Sequence, residues 1–88
     1  MKKIALYGTD ITVHKKAIIE TINSFNITKK GNTTKSITLR NKNIVIAILN
    51  GEAMTNIAKK YHVSPEMVRQ IKVKELRKVV HLLKIKVV

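Results

Sequence analysis

There is no cysteine among the 88 residues of this chain, which excludes disulfides and thiolate-held zinc as the means of holding it together. Aromatics are nearly as scarce, with no Trp, one Phe and two Tyr. A core must therefore come from aliphatic side chains, and a hydrophobic fraction of 44% supplies them. The longest apolar run, Ile44 to Leu49, falls far short of the ~20 residues that cross a bilayer, so no membrane partner is expected. The Lys2-Lys3 start is followed only by Ile4-Ala5-Leu6-Tyr7, too short for the apolar stretch of a signal peptide, and the expectation is a soluble cytoplasmic protein. Three isolated glycines make no phosphate-cradling loop. Five acidic residues form neither a carboxylate pair nor a metal cluster. His14, His62 and His81 lack metal-ligand spacing, and Ser24, Ser36 and Ser64 lack any nucleophile context. No catalytic residue, metal or cofactor is expected.

What the chain has in excess is positive charge. Eighteen Lys and Arg stand against five Asp and Glu, a formal +13 with a pI near 10.4. Such an imbalance predicts attraction to polyanions and a strong dependence on salt. By itself it also describes an ordinary lysine-rich solvated surface, and it acquires meaning only beside a docking motif.

The fold class expected from periodicity is mainly α: a small helical domain containing a helix-turn-helix, with short strands at the two termini. Lys2 to Tyr7 reads as a strand or a packed tail, broken at Gly8. Thr9 or Asp10 is placed to cap a helix from about Ile11 to Phe25, because Ile11, Ile18, Ile22 and Phe25 fall on one helical face. Asn26 to Ser36 is polar, basic and contains Gly31, a loop composition. A sub-boundary is set there, dividing an N-terminal helical segment and basic loop (1–36) from a helix-turn-helix domain (37–88). Thr38 is a cap for a helix ending near Leu49, where Asn50-Gly51 stops it. The run Ile44 to Leu49 has strand propensity, but the five residues before it make the segment too long for a usual strand.

From Glu52 to Lys60 a first motif helix is expected, with Ile57 and Ala58 turned inward and Ala58 small enough for two helices to cross closely. His62 stands where a left-handed backbone is needed, a conformation His tolerates better than most residues. Val63 packs under the turn, Ser64 caps the next helix, and Pro65 fits its first turn. That helix is expected to reach about Leu83. Val68, Ile71, Val79 and Leu82 share its inner face, while Glu66, Gln70, Lys74, Arg77 and His81 share the opposite one. This order of elements is a helix-turn-helix, whose second helix enters the major groove of DNA.

The DNA-binding residues expected on it are Ser64, Glu66, Met67, Arg69, Gln70, Lys74, Arg77 and Lys78. Gln70 suits bidentate pairing with adenine and Glu66 accepts from a cytosine amine. Arg69, Lys74, Arg77 and Lys78 are placed for phosphates. Glu75 lies on the inner side of the helix, near Lys72, and is expected to pair with it or to face a partner. A second apolar stripe of Val73, Leu76, Val80 and Leu83 needs a cover. That cover is either the chain's own N-terminal segment folding back or a second copy in a homodimer.

The stretch from Ile37 to about Val79 resembles region 4 of bacterial sigma factors of the sigma-70 family. The run Ile57-Ala58-Lys59-Lys60-Tyr61-His62-Val63-Ser64-Pro65-Glu66-Met67-Val68-Arg69-Gln70-Ile71 carries the resemblance, with Lys74-Glu75-Leu76-Arg77-Lys78 after it. The match covers roughly half the chain. It implies that Glu66, Arg69 and Gln70 face the −35 promoter element, and that the flap of the RNA polymerase β subunit is a partner. Pro65 and Met67 stand where the family often has Arg, which shifts the expected binding face toward Gln70, Lys74 and Arg77. Nothing resembles the sigma segments that bind the −10 element or melt DNA, and the aromatics that base stacking needs are few.

The functional expectation is a sequence-specific, double-stranded-DNA-binding transcriptional regulator and not an enzyme. The alternative is an interaction module, a split sigma subunit or an anti-sigma-like protein, that binds RNA polymerase or another regulator with DNA contact secondary.

Overall fold

The computed structural model describes residues 4–31 and 33–87. It is mainly helical, as expected, with short strands. The chain opens with a hairpin of two-residue strands, β1 (Ala5–Leu6) and β2 (Thr9–Asp10), paired antiparallel with Leu6 opposite Thr9. The turn residues Tyr7 and Gly8 both have positive φ, 52° and 79°. This matches the right-handed twist of the strands, as two-residue hairpin turns require. Thr9 and Asp10 therefore lie in a strand instead of capping a helix. Asp10 still accepts from the Thr12 N–H at 2.9 Å, which starts a single 3-10 turn over Thr12–His14. The expected helix becomes regular only as α1, Lys15–Ser24. The delay has a local cause: Ile11 is fully buried and its N–H is committed to the Ile4 carbonyl at 2.8 Å.

The segment after α1 is a loop, but closed at its base. Asn26–Ile27 (β3) and Ser36–Ile37 (β4) pair in parallel. Two further bonds, Asn26 N–H to the Lys35 carbonyl and Thr28 N–H to the Ile37 carbonyl, fix the neck. Gly31 has φ +59°, and a Cβ there would sit 2.8 Å from the Thr38 nitrogen, so only glycine lets the loop lie this close to β4.

The helix α2 spans Leu39–Leu49, with Thr38 Oγ1 accepting from the Asn41 N–H at 3.1 Å. Gly51, at φ +89°, turns the chain out of it. Ile44, Val45, Ala47 and Leu49 are all buried, so α2 is central, packed against α1 and against the two helices that follow, α3 (Met54–Tyr61) and α4 (Pro65–Leu83). Ile4, Leu6, Ile11, Ile18 and Ile22 from before position 36 fill one core together with Ile37, Ile57, Val68, Leu76 and Val79 from after it. The second apolar stripe of α4 is covered by the chain itself in part: Leu76 is inaccessible and Val80 is 5% exposed, while Val73 and Leu83 are half-buried. Beyond α4, Lys84 takes a left-handed conformation (φ 56°) and the Ile85 N–H returns to the Val80 carbonyl at 2.9 Å. The chain doubles back, and residues 85–87 form no strand.

Candidate nucleic-acid interface

Between α3 and α4 the backbone makes a tight left-handed exit. His62 has φ 56° and ψ 43°, and the Val63 N–H bonds to the Ala58 carbonyl at 3.0 Å, which satisfies a carbonyl that the helix end would leave free. Ala58 is 3% exposed and Ile57 is inaccessible, both in the core that also holds Val68 and Ile71 of α4. Ser64 Oγ accepts from the Met67 N–H at 3.1 Å, and Pro65 opens α4. The α3 start is two residues later than expected, at Met54, because the Glu52 N–H still bonds back to the Ala47 carbonyl.

The first two turns of α4 present Pro65, Glu66, Met67, Arg69 and Gln70 to solvent; Lys74, Arg77 and His81 continue the exposed face. Glu66 and Arg69 are not independent. Arg69 Nε donates to Glu66 Oε2 at 3.0 Å and Nη2 donates to Oε1. The Arg69 guanidinium holds the Glu66 carboxyl below the usual carboxylate range, and the Gln70 side chain adds a smaller pull in the same direction. Arg69 is held correspondingly more firmly protonated. Because both side chains are more than half exposed, the pair contributes little to stability, but it fixes where the guanidinium points.

The same face floors an open groove of about 1180 Å³, above the roughly 300–1,000 Å³ of a small-molecule pocket. Its lining begins at Arg69, so Pro65, Glu66 and Met67 lie beyond its walls. Gln70, Lys74, Arg77 and His81 form the floor. Tyr7 stands on one wall with the Arg77 guanidinium 6.0 Å from its ring centre. Val73, Ile85 and Val87 add half-buried apolar surface, and Thr34 reaches the groove from the β3–β4 loop. Lys72 also lines it, and partial burial pulls its ammonium below the ordinary lysine range. Neither Tyr7 nor Thr34 carries a periodic signal in the sequence, since both reach α4 through tertiary folding.

Lys78 departs from expectation. Its ammonium does not face solvent with Arg77: the side chain is 15% exposed and turned inward. It donates to the Gly31 carbonyl at 2.7 Å and the Ser36 carbonyl at 3.1 Å. It also lies 2.9 Å from Oε1 of the inaccessible Glu75. That last approach is an ion pair without hydrogen-bond alignment, since Oε1 has no such partner. Glu75 Oε2 accepts from Asn41 Nδ2 of α2 at 2.9 Å. Lys78 thus replaces Lys72 as the partner of Glu75, and it is committed to the fold rather than held out toward phosphates. Burying an ammonium is tolerable only where acceptors and a counter-charge meet it, and here both do.

Among the described residues no group of three or more His, Cys, Asp or Glu is arranged to hold a metal ion, and no helix is long and apolar enough to cross a membrane. No protein-family profile matches the chain, and neither does any curated protein or solved structure. The likeness to sigma region 4 accordingly rests on the residues Ile57 to Ile71 and the Lys74 to Lys78 run alone.

Proposed function

We propose that this protein is a non-catalytic cytoplasmic transcriptional regulator that binds double-stranded DNA by placing the N-terminal half of α4 in the major groove. The observation that carries the reading is local. A left-handed His62 turn feeds a Ser64-capped helix whose first two turns offer Glu66, Met67, Arg69 and Gln70 to solvent, on a chain of formal charge +13. Gln70 is the principal reader, since its amide can meet the two groups of adenine that face the major groove. The Glu66–Arg69 pair works as one unit: the carboxylate aims the guanidinium, and contact with a cytosine amine requires Glu66 to leave it. Lys74 and Arg77 hold phosphates, and the Ser64 hydroxyl, whose lone pair caps α4, retains a proton to donate to one.

Selection of bound sequences from random DNA, followed by titration of Gln70→Ala and Arg69→Ala, tests the reading. Gln70→Ala is expected to relax preference at one base pair by ~1–3 kcal/mol. Wild-type affinity is expected to fall linearly in log–log form with salt, by a slope of about 0.9 per phosphate neutralised. A flat response between ~50 and ~200 mM salt is incompatible with major-groove docking of so basic a protein.

A second reading is favoured by the half-buried Val73, Ile85 and Val87 in the groove wall. In it the region-4-like unit binds RNA polymerase, at the β flap, or another regulator, as a split sigma subunit or anti-sigma-like protein, and DNA contact is secondary. If neither substitution alters DNA affinity while polymerase binding persists, this second reading replaces the first. A homodimer on paired half-sites is a variant of the DNA reading. With Leu76 and Val80 covered by the chain's own residues, that variant needs another contact surface. A strict monomer in sedimentation at tens of micromolar, with and without DNA, rules it out.

A further inference from the structure

The loop between β3 and β4 carries Lys29, Lys30 and Lys35, all exposed, and none of them is in an ion pair among the described residues. A cluster of solvated lysines on a loose loop would mean little. The described residues of this loop on either side of position 32 are hydrogen-bonded. The Gly31 N–H bonds to Thr28 Oγ1 at 2.7 Å, and the Thr33 N–H bonds to Ser36 Oγ at 3.0 Å. The Lys78 ammonium joins the Gly31 and Ser36 carbonyls from 47 and 42 residues away. Glu75 cancels the charge of that ammonium and is itself fixed to α2 through Asn41. The positive charge the loop displays is therefore entirely its own, and Lys78 ties its Gly31 and Ser36 carbonyls to α4.

The coupling sets a distance. Lys78 follows Gln70 by eight residues, about 12 Å along the helix axis, so the loop anchored on Lys78 stands roughly two turns beyond the residue proposed to read the base. Thr34 of the loop lines the same groove as Gln70, Lys74 and Arg77. Thr34 puts the loop on the same side of the protein as Gln70, Lys74 and Arg77, the side that would face DNA if Gln70 met a base edge. We infer that the loop is a second DNA-contacting element, in which Lys29, Lys30 and Lys35 bind the phosphates of one strand flanking the groove that α4 enters. Asn41, Glu75 and Lys78 are its positioning residues. The inference rests on the DNA-binding reading above. Lysines on phosphates carry no base information, so the loop adds affinity without changing sequence preference.

The test compares the full-length wild type, a Lys29→Gln/Lys30→Gln/Lys35→Gln variant, and a Lys15→Gln/Lys16→Gln variant that lowers charge on α1 instead. The probe is a duplex taken from the selection above, titrated between ~50 and ~200 mM salt. Each phosphate that the protein no longer neutralises is expected to lower the slope by about 0.9, which over this fourfold range makes the salt-induced fall in affinity about 3.5-fold smaller. The loop variant should bind more weakly across matched and mismatched duplexes alike, with its slope lower by at least one such step, while the α1 variant keeps the wild-type slope. A loop variant with the wild-type slope on a duplex that the wild type binds selectively overturns the inference and leaves the groove reading standing. Equal slope changes in both variants also overturn it, because the effect is then one of net charge. Failure of the wild type to select any DNA removes the groove reading and the inference together.

Discussion

Lys78→Met removes one half of a buried ion pair while nearly preserving side-chain volume. In the wild type the Glu75 carboxylate is inaccessible, with one oxygen bonded to Asn41 and the other facing the Lys78 ammonium at 2.9 Å. Met leaves that second oxygen buried opposite a thioether. Breaking a buried pair in this way typically costs ~3–5 kcal/mol. An 88-residue chain has a total stability of only about 4–13 kcal/mol at ~0.05–0.15 kcal/mol per residue, so the variant is expected at the edge of unfolding. Urea titration should show the midpoint falling by a large fraction with an unchanged slope, and thermal melting should shift by tens of degrees at ~4–8 °C per kcal/mol. The diagnostic comparison is Glu75→Leu/Lys78→Met. Removing both charges relieves the buried carboxylate and leaves Asn41 short of an acceptor, at ~1–3 kcal/mol. The double variant should therefore be more stable than Lys78→Met alone. A cost below ~1 kcal/mol for the single variant, or a double variant as unstable as the sum of its singles, would refute the account of Lys78 as an internal cation.

Three other outcomes follow from particular residues. His62→Gly relieves a left-handed side chain and should raise stability by about 1 kcal/mol, read as a melting temperature higher by roughly 4–8 °C; a lower one contradicts the turn assignment. Gly31→Ala puts a Cβ 2.8 Å from the Thr38 backbone at φ +59° and should destabilise by more than ~1 kcal/mol, with amide-exchange protection falling first at Gly31 and Thr33. Glu66 should titrate below the usual carboxylate range in carbon-detected NMR and return to it in Arg69→Ala. Since its folded pKa is depressed, whatever stability the pair adds is present above the unfolded carboxylate pKa and fades as pH falls through the folded one; an unmoved titration in the variant would mean that Arg69 is not the cause.

The helix-turn-helix was legible because its signals are local. Thr38 and Ser64 cap within three residues, Gly51 and His62 need positive φ at the ends of α2 and α3, and the inner residues of α4 recur at helical spacing. What escaped is non-local. Strands of two residues carry no alternation to read, so neither the Tyr7–Gly8 hairpin nor the parallel bridge of Asn26–Ile27 with Ser36–Ile37 leaves a periodic signal. Glu75 stood out as an acid on an inner face, but Lys72 and Lys78 are both three residues from it. Only the Gly31 and Ser36 carbonyls, more than forty residues away, settle which ammonium turns inward. On a helical wheel Lys78 looks like any other lysine at the edge of the polar face.

The internal anchoring of the β3–β4 loop has a consequence for the entropy of association. A flexible basic loop must be ordered by its ligand, at ~1–2 kcal/mol for each backbone residue fixed, and that cost offsets much of what the interactions contribute. Here Lys78 orders Gly31 and Ser36 when the chain folds. A partner lying along this side of α4 meets a surface already shaped, so binding there should change heat capacity only as far as the area it buries.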